Sequence, residues 1–581
     1  AVDTYQGTDL EEVKAAFSRQ FPESKIYLTA NAFKSEAEIS EMVFPYVTAD
    51  RIFGVMNELE LEAFFDVSKL EAFIKELQQD SAALKIVLGP GAGHCYPEAD
   101  LLVYLDMARW EIQQRMRKDE VGNLGVNNNT LDVARRYKQS FFVDWRVLDR
   151  HKMGLFDKID YFVDVNKKGA PKMIESEVLE SALKQVNRQP FRVVPFFDPG
   201  PWGGQWMKEV ADLDRSVINF AWAFDCVPEE NSILLGFGSH TFETPAMNLI
   251  KREPQDLLGG RVVEKFGAEF PIRFDFLDTM EGGNLSLQVH PDKKYIKEHF
   301  GMPYTQDESY YLLDTKGDAV VYLGLKEDVD PEAMISELKE AQKTGEFDAD
   351  KHVAQFPVKK HDHVLIPAGT VHCSGTNSVV LEISATPYIF TFKLWDWGRL
   401  VLDCQTRPIN IEHGEKVIDW SRTTGWVKEN LVGNTECSPN RCLIDSVRLS
   451  RPAILRLVRA VLISRHSTST PVPLAFRILV SGWVPVPRGP NPVTPSSALP
   501  RRGLCSAAGR DRPVPTMTWS CITGPSDAGV GPEELYMRQT RRVVFLVFDG
   551  MKMLDVTGPA EVFSEANRFG AKYTFDYVSP T

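Results

Sequence analysis

Four residues carry the donor types of a metal site. Leu285-Ser-Leu-Gln-Val-His-Pro291 alternates as a strand, so Gln288 and His290 point to one face, about 7 Å apart along the chain. Glu308 begins a second strand-like stretch, Asp307-Glu-Ser-Tyr-Tyr-Leu-Leu-Asp314, and His372 closes the turn Ile366-Pro-Ala-Gly-Thr-Val-His372 before a third. An amide oxygen, a carboxylate and two imidazoles form an N/O set suited to zinc or a similar divalent ion. Strands of a barrel can gather such separated residues at its mouth. Singly each is weak, since a lone His on a strand is more often a satisfied core or surface residue.

Together the residues fall into ordered blocks: Pro201-Trp-Gly-Gly204, Leu285 to Asp292, Glu308 with its aromatic strand, Ile366 to His372, Phe392-Lys-Leu-Trp-Asp-Trp-Gly-Arg399 and Arg407-Pro-Ile-Asn-Ile-Glu-His413. This series resembles class I, metal-dependent mannose-6-phosphate isomerases, over nearly all of 190–436. The resemblance implies an all-β cupin (jelly-roll) catalytic domain that interconverts mannose 6-phosphate and fructose 6-phosphate through an enediolate. It implies Gln288, His290, Glu308 and His372 as ligands of one Zn2+ or other divalent ion per domain. It also implies a hydroxyl near the substrate phosphate at Ser286, and a pocket carboxylate at Glu382 that serves as base if desolvated. Two positions depart from the family: Lys393 stands where an active-site Arg is usual, and Gln306 where a Lys is usual. Lysine keeps charge but loses the bidentate fork, so Arg399, Lys293 or Lys294 is expected to compensate. The departures leave a second reading, a non-catalytic metal-binding cupin that binds or senses a phosphosugar. His361 and His363 read as surface residues, and alternation turns Cys373 away from the His372 face.

The surrounding elements divide the chain. Residues 1–188 read as α/β: apolar runs at 25–28, 84–88 and 101–105 alternate with amphipathic stretches near 69–78 and 107–118, favouring a mainly parallel sheet. Gly89-Pro-Gly-Ala-Gly93 follows a strand and reads as a turn whose backbone N–H groups could cradle an anion. Ala99 to Arg115 loosely resembles nucleoside-kinase folds, and no catalytic role carries over. Residues 189–436 show short strands punctuated by Gly and Pro, with one helical insertion at about 331–345. The family often adds a second β lobe, yet the match stops near 436; an uncovered apolar face would cost about 25 cal/mol per Å².

After 436 the texture breaks. Residues 437–530 hold 12 Arg and no Lys, three Asp and no Glu, and 13 Pro, a bias expected of out-of-frame or disordered sequence, and 437–536 is read so. Residues 537–581 resemble the opening of the amidotransferase-like domain of AraC-type regulators, through Arg541-Arg-Val-Val-Phe-Leu-Val-Phe548 and Leu554 to Phe563. That piece reads as an incomplete α/β fragment fused from a neighbouring gene. The chain opens Ala-Val-Asp-Thr-Tyr, without Met or a leader pattern, and is expected to be clipped at the front.

A net charge of −14 over 581 residues argues against nucleic acid as partner, so a phosphorylated hexose would need a local basic pocket. No apolar run of membrane-spanning length occurs. The eight Cys form no CxxC pair, which suits a reducing, cytoplasmic setting.

Overall fold

A computed structural model describes residues 1–189, 191–385, 388, 390–399 and 409–433, with the backbone of 541–546 and 573–578. The chain divides into two compact units, 1–477 and 478–581. In the second, Arg541–Leu546 and Tyr573–Val578 pair in parallel. The stretch 437–536 lies outside the described residues, as do most of 537–581 and the start of the Arg407 block.

The first unit begins with a six-stranded sheet ordered Lys25–Leu28, Lys85–Gly89, Val2–Thr4, Val103–Asp106, Tyr161–Asp164, Lys172–Glu175. The first five run parallel and the last is antiparallel. Helices Val67–Gln79 and Arg109–Met116 form where apolar periodicity places them. Asp66 caps the first by accepting from the Lys69 N–H at 2.9 Å. The connections after Val2–Thr4 and Val103–Asp106 leave in opposite directions along the sheet.

Beyond residue 190 two antiparallel sheets face each other. The seven-stranded sheet runs Val432–Gly433, His363–Ile366, Asp307–Thr315, Ser378–Ala385, Arg273–Asp278, Trp222–Cys226, Phe196–Asp198. The five-stranded sheet runs Val353–Pro357, Val320–Leu325, His372–Ser374, Leu287–Val289, Phe392–Trp395. Helix Pro331–Thr344 is the expected insertion. An apolar layer of Met207, Phe220, Ala223, Met280 and Val379 packs with Phe224 and Phe276. It covers the outer face of the larger sheet and leaves the inner face free to carry polar groups. No helix among the described residues is long and apolar enough to cross a membrane.

The α/β part packs directly on this sandwich. Arg117 forms a bidentate pair with Asp198 at 2.6 and 2.7 Å. Trp110 stacks on Phe196 with ring centroids 4.0 Å apart, and Tyr388 donates to the Ile52 carbonyl at 2.9 Å.

Candidate metal centre

The two sheets meet at His290, Glu308 and His372, whose ligand atoms all lie within 4.8 Å of one another. Glu308 comes from the larger sheet. His372 and Gln288 are cross-strand partners in the smaller one, and His290 directly follows the Gln288 strand. All four side chains are buried. Glu308 faces His372 Nε2 at 2.7 Å and His290 Nε2 at 3.1 Å, and Gln288 Nε2 lies 3.2 Å from His372 Nε2.

The orientation of the two rings decides what they can do. His290 Nδ1 donates to the Phe390 carbonyl at 2.9 Å, and His372 Nδ1 to the Thr370 carbonyl at 2.8 Å. Each Nδ1–H is therefore consumed by backbone, and each Nε2 presents its lone pair inward, the arrangement of metal-ligating histidines. His290 Nε2 and Glu308 Oε1 are buried without a hydrogen-bond partner. Orphaned buried polar atoms are costly unless something pairs them. A divalent cation among these atoms removes that cost, so the residues fit such an ion. Burial opposes ionisation of Glu308, but the two imidazoles, when protonated at Nε2, outweigh it and hold the carboxyl well below its ordinary range; a divalent cation would take the place of those protons.

The pocket beside these residues is more acidic than the sequence suggested. Asp275, Glu382 and Tyr310 lie in one cross-strand row, with Arg273, Ser384 and Glu308 in the next. Burial, then the neighbouring Glu308 and Asp275, raise the Glu382 carboxyl well above its usual range. Burial lifts Asp275 to about 6 despite Arg273 beside it. Arg273 lies 3.6 Å from Asp275 and is itself buried. Arg273 Nε, Asp275 Oδ1, Tyr310 OH and Ser384 Oγ have no hydrogen-bond partner. Sequence reasoning passed over Arg273 and Asp275. Arg273-Phe-Asp-Phe-Leu-Asp278 alternates charge with aromatic and reads as charge-out, yet Arg273 and Asp275 face inward. Aromatic residues on a sheet face covered by another apolar layer were the available signal.

The remaining candidates sit differently. Lys393 is the cross-strand partner of Gln288, which puts both on one face. Ser286 donates to Asp396 at 2.7 Å, and Asp396 also accepts from Arg399 at 2.7 Å. Arg399 further donates to the Asn284 carbonyl at 2.5 Å, so its guanidinium fastens a loop. Lys293 and Lys294 are exposed on the first turn of helix Lys293–Phe300. Arg273 is a buried guanidinium beside Asp275 that the sequence did not single out. Gln306 donates to Glu308 Oε2 at 2.9 Å, so it holds the carboxylate where a lysine was expected. His361 is exposed, as read, but His363 is half-buried, and burial takes its ring down to about 4. Its strand lies between two others, which withdraws it from solvent. Cys373 is buried.

In the α/β part, the Gly89–Gly93 turn does cradle an anion, and the anion is internal. Gly91 and Gly93 N–H groups both donate to the Asp3 carboxylate at 2.9 Å, which also meets His151 at 2.8 Å.

Residues 1–188 match the family model described as a domain of unknown function (DUF8485). The chain is similar to the "Probable mannose-6-phosphate isomerase GmuF" of Bacillus subtilis (strain 168), 30% identical over 174 residues, which are 29% of this chain and 51% of that protein. It therefore spans about half the length of that relative. It is also 28% identical over 235 residues to "Mannose-6-phosphate isomerase ManA" of the same organism, covering 40% of this chain and 69% of that one. A solved mannose 6-phosphate isomerase from Bacillus subtilis superposes with a TM-score of 0.34 at 19% identity, over 40% of this chain and 69% of that chain. Over about 40% of its length the chain is similar, at modest identity, to a protein named as a mannose-6-phosphate isomerase.

Proposed function

We propose that residues 189–436 form a metal-dependent aldose–ketose isomerase acting on a phosphorylated hexose, interconverting mannose 6-phosphate and fructose 6-phosphate. The observation that carries this reading is the pair of inward Nε2 atoms, fixed by backbone at Nδ1 and set against an orphaned Glu308 oxygen. Similarity to named isomerases supplies the reaction class.

Gln288, His290, Glu308 and His372 would hold the ion, zinc being the best match to an N/O set. Such an ion polarises the sugar oxygens and stabilises charge as the enediolate forms. The chain's own part is proton transfer and orientation. Glu382, whose raised pKa makes its carboxylate form a stronger base, sits next to Glu308; as the carboxylate it would take the proton from C2 and return it at C1, a role worth about 10²–10⁴-fold. Arg273 and Ser384 offer unpaired donors to sugar hydroxyls, and Lys393 puts a cation on the Gln288 face. Ser286 would bring its hydroxyl, held by Asp396 at 2.7 Å, near the substrate phosphate. Buried thiols at Cys95, Cys226 and Cys373 suit a reducing, cytoplasmic setting. The parallel strand pair at 541–546 and 573–578 supports reading 537–581 as the start of an amidotransferase-like α/β unit.

A second reading, a cupin that binds a phosphosugar without turnover, is favoured by Gln306, because it replaces a cation and lies within 2.9 Å of Glu308. Metal analysis with a coupled assay separates the two. Full-length protein should carry one divalent ion and convert mannose 6-phosphate to fructose 6-phosphate. An ion retained without turnover on any hexose phosphate would establish the sensor, and no ion at all would defeat both.

A further inference from the structure

We infer that the α/β domain, residues 1–188, sets the geometry of the metal centre by holding the segment that orients His290. The inference rests on the metal-binding part of the reading above and not on the reaction. It assigns the domain of unknown function a positioning role, with Phe53 as its principal contact.

Phe53 belongs to the α/β part but is 1% exposed, buried among rings of the β part. It stacks on Phe390 with centroids 5.7 Å apart and planes 14° from parallel. It meets Phe392 edge-on at 5.2 Å, Phe300 at 5.6 Å and His413 at 6.1 Å. Phe390 is the residue whose carbonyl accepts the His290 Nδ1–H, and Phe392 is the cross-strand partner of Val289, next to His290. One aromatic side chain from the first domain thus braces both the carbonyl that fixes the His290 ring and the strand beside it.

The brace is reinforced on either side. The Ile52 carbonyl accepts from Tyr388 at 2.9 Å, and the Met56 N–H donates to the Phe300 carbonyl at 3.2 Å. Phe142, also from the α/β domain, packs on Tyr388 at 4.9 Å and Phe390 at 6.5 Å. Gly54 keeps the Phe53 loop close: an added Cβ would lie 2.6 Å from the Tyr46 carbonyl and 2.8 Å from the Phe142 ring. The path from Phe53 to the inward Nε2 of His290 therefore has two links, ring to ring and carbonyl to imidazole. Partners that orient a ligating histidine typically change metal affinity by about 10–100-fold when lost.

The test uses the full chain and Co2+ alone as probe, read by affinity and by the d–d absorption that reports ligand geometry. Phe53→Ala should weaken Co2+ binding about tenfold and alter the absorption, and Phe53→Leu should restore most of both. Phe73→Ala is the control, because Phe73 packs on Tyr27 within the α/β sheet layer. It should lower stability while leaving affinity and spectrum as in the parent. If Phe53→Ala does not fold, Tyr388→Phe, which removes only the hydroxyl bonded to Ile52, should shift affinity and spectrum the same way by a smaller factor. A folded Phe53→Ala or Tyr388→Phe protein with parental affinity and spectrum would overturn the inference, as would Phe73→Ala weakening Co2+ equally. A parent protein that takes up no Co2+ would remove the metal reading itself, a result distinct from either.

Discussion

Two regions of the first unit bury charge in opposite ways. At the seam between the α/β and β parts several buried charges are paired. Lys152 donates to both oxygens of Asp106 at 3.1 Å, and Arg109 reaches Asp149 at 2.6 Å and Glu229 at 2.8 Å. Asn248 adds a bond to Asp106 at 2.7 Å. In the β part, His290 Nε2, Glu308 Oε1, Asp275 Oδ1 and Arg273 Nε have no hydrogen-bond partner. A closed network rigidifies a fold, whereas a cluster of unmet atoms on one face is a request for something the chain does not contain. The contrast distinguishes the seam that joins the domains from the candidate metal centre, although both are polar and buried.

The largest expected effect would break the comparison at the metal centre. His372→Ala should abolish uptake of a divalent ion by metal analysis, beyond the 10–100-fold cost of outer-shell changes. Metal-free stability should fall by no more than about 1–2 kcal/mol, because little paired hydrogen bonding is lost. A protein that keeps its ion would reduce the site to a structural polar cluster. Next, Asp106→Ala strands Lys152 in the interior and should cost about 3–5 kcal/mol in urea unfolding, with ion affinity unchanged. Unaltered stability would show the seam to be dispensable, and altered affinity would erase the distinction between the regions.

The smallest effect sharpens the comparison through two histidines, one per part. Burial pulls the His151 ring down, but Asp3 at 2.8 Å outweighs it and leaves the ring above 6.5. The folded state then holds that proton more tightly, so the contribution is full below about pH 6.5 and is lost as pH rises through the raised value. His363 is shifted down to about 4 by burial. The unfolded chain takes up the extra proton between about pH 4 and 6.5, so stability climbs with pH across that window. His363→Gln should flatten the acid-side slope by on the order of 2 kcal/mol, and His151→Gln should flatten the opposing slope on the alkaline side. Denaturation midpoints against pH test both. Slopes that change in the same direction would contradict the assignment.

Much of the candidate metal centre was legible because its residues sit on or beside short alternating strands, where side-chain direction follows from position and the order of the sequence blocks brings them together. The helices at 67–79 and 331–344 were legible for a similar reason, since their apolar period is local. Arg273 and Asp275 were not, because alternation states which residues share a face and not which face looks inward. The layer over Phe276 that settles it comes from residues 206–224. The seam between the domains was equally hidden. Its bonds join residues such as Arg109 to Glu229 and Ile52 to Tyr388, separated by 120 and 336 positions, and no local pattern marks them. Lysines 293 and 294, named as compensating cations, start a helix and are exposed, an orientation that their place in the sequence alone did not show.

The Asp3 carboxylate, held between two glycine amides and an imidazole, is a guest tethered to its own host. A free anion reaching that turn would compete with a group whose effective concentration is set by a fixed backbone, at least on the millimolar scale of short tethers. Any anion entering that turn would first have to displace Asp3, and with it the first strand of the sheet.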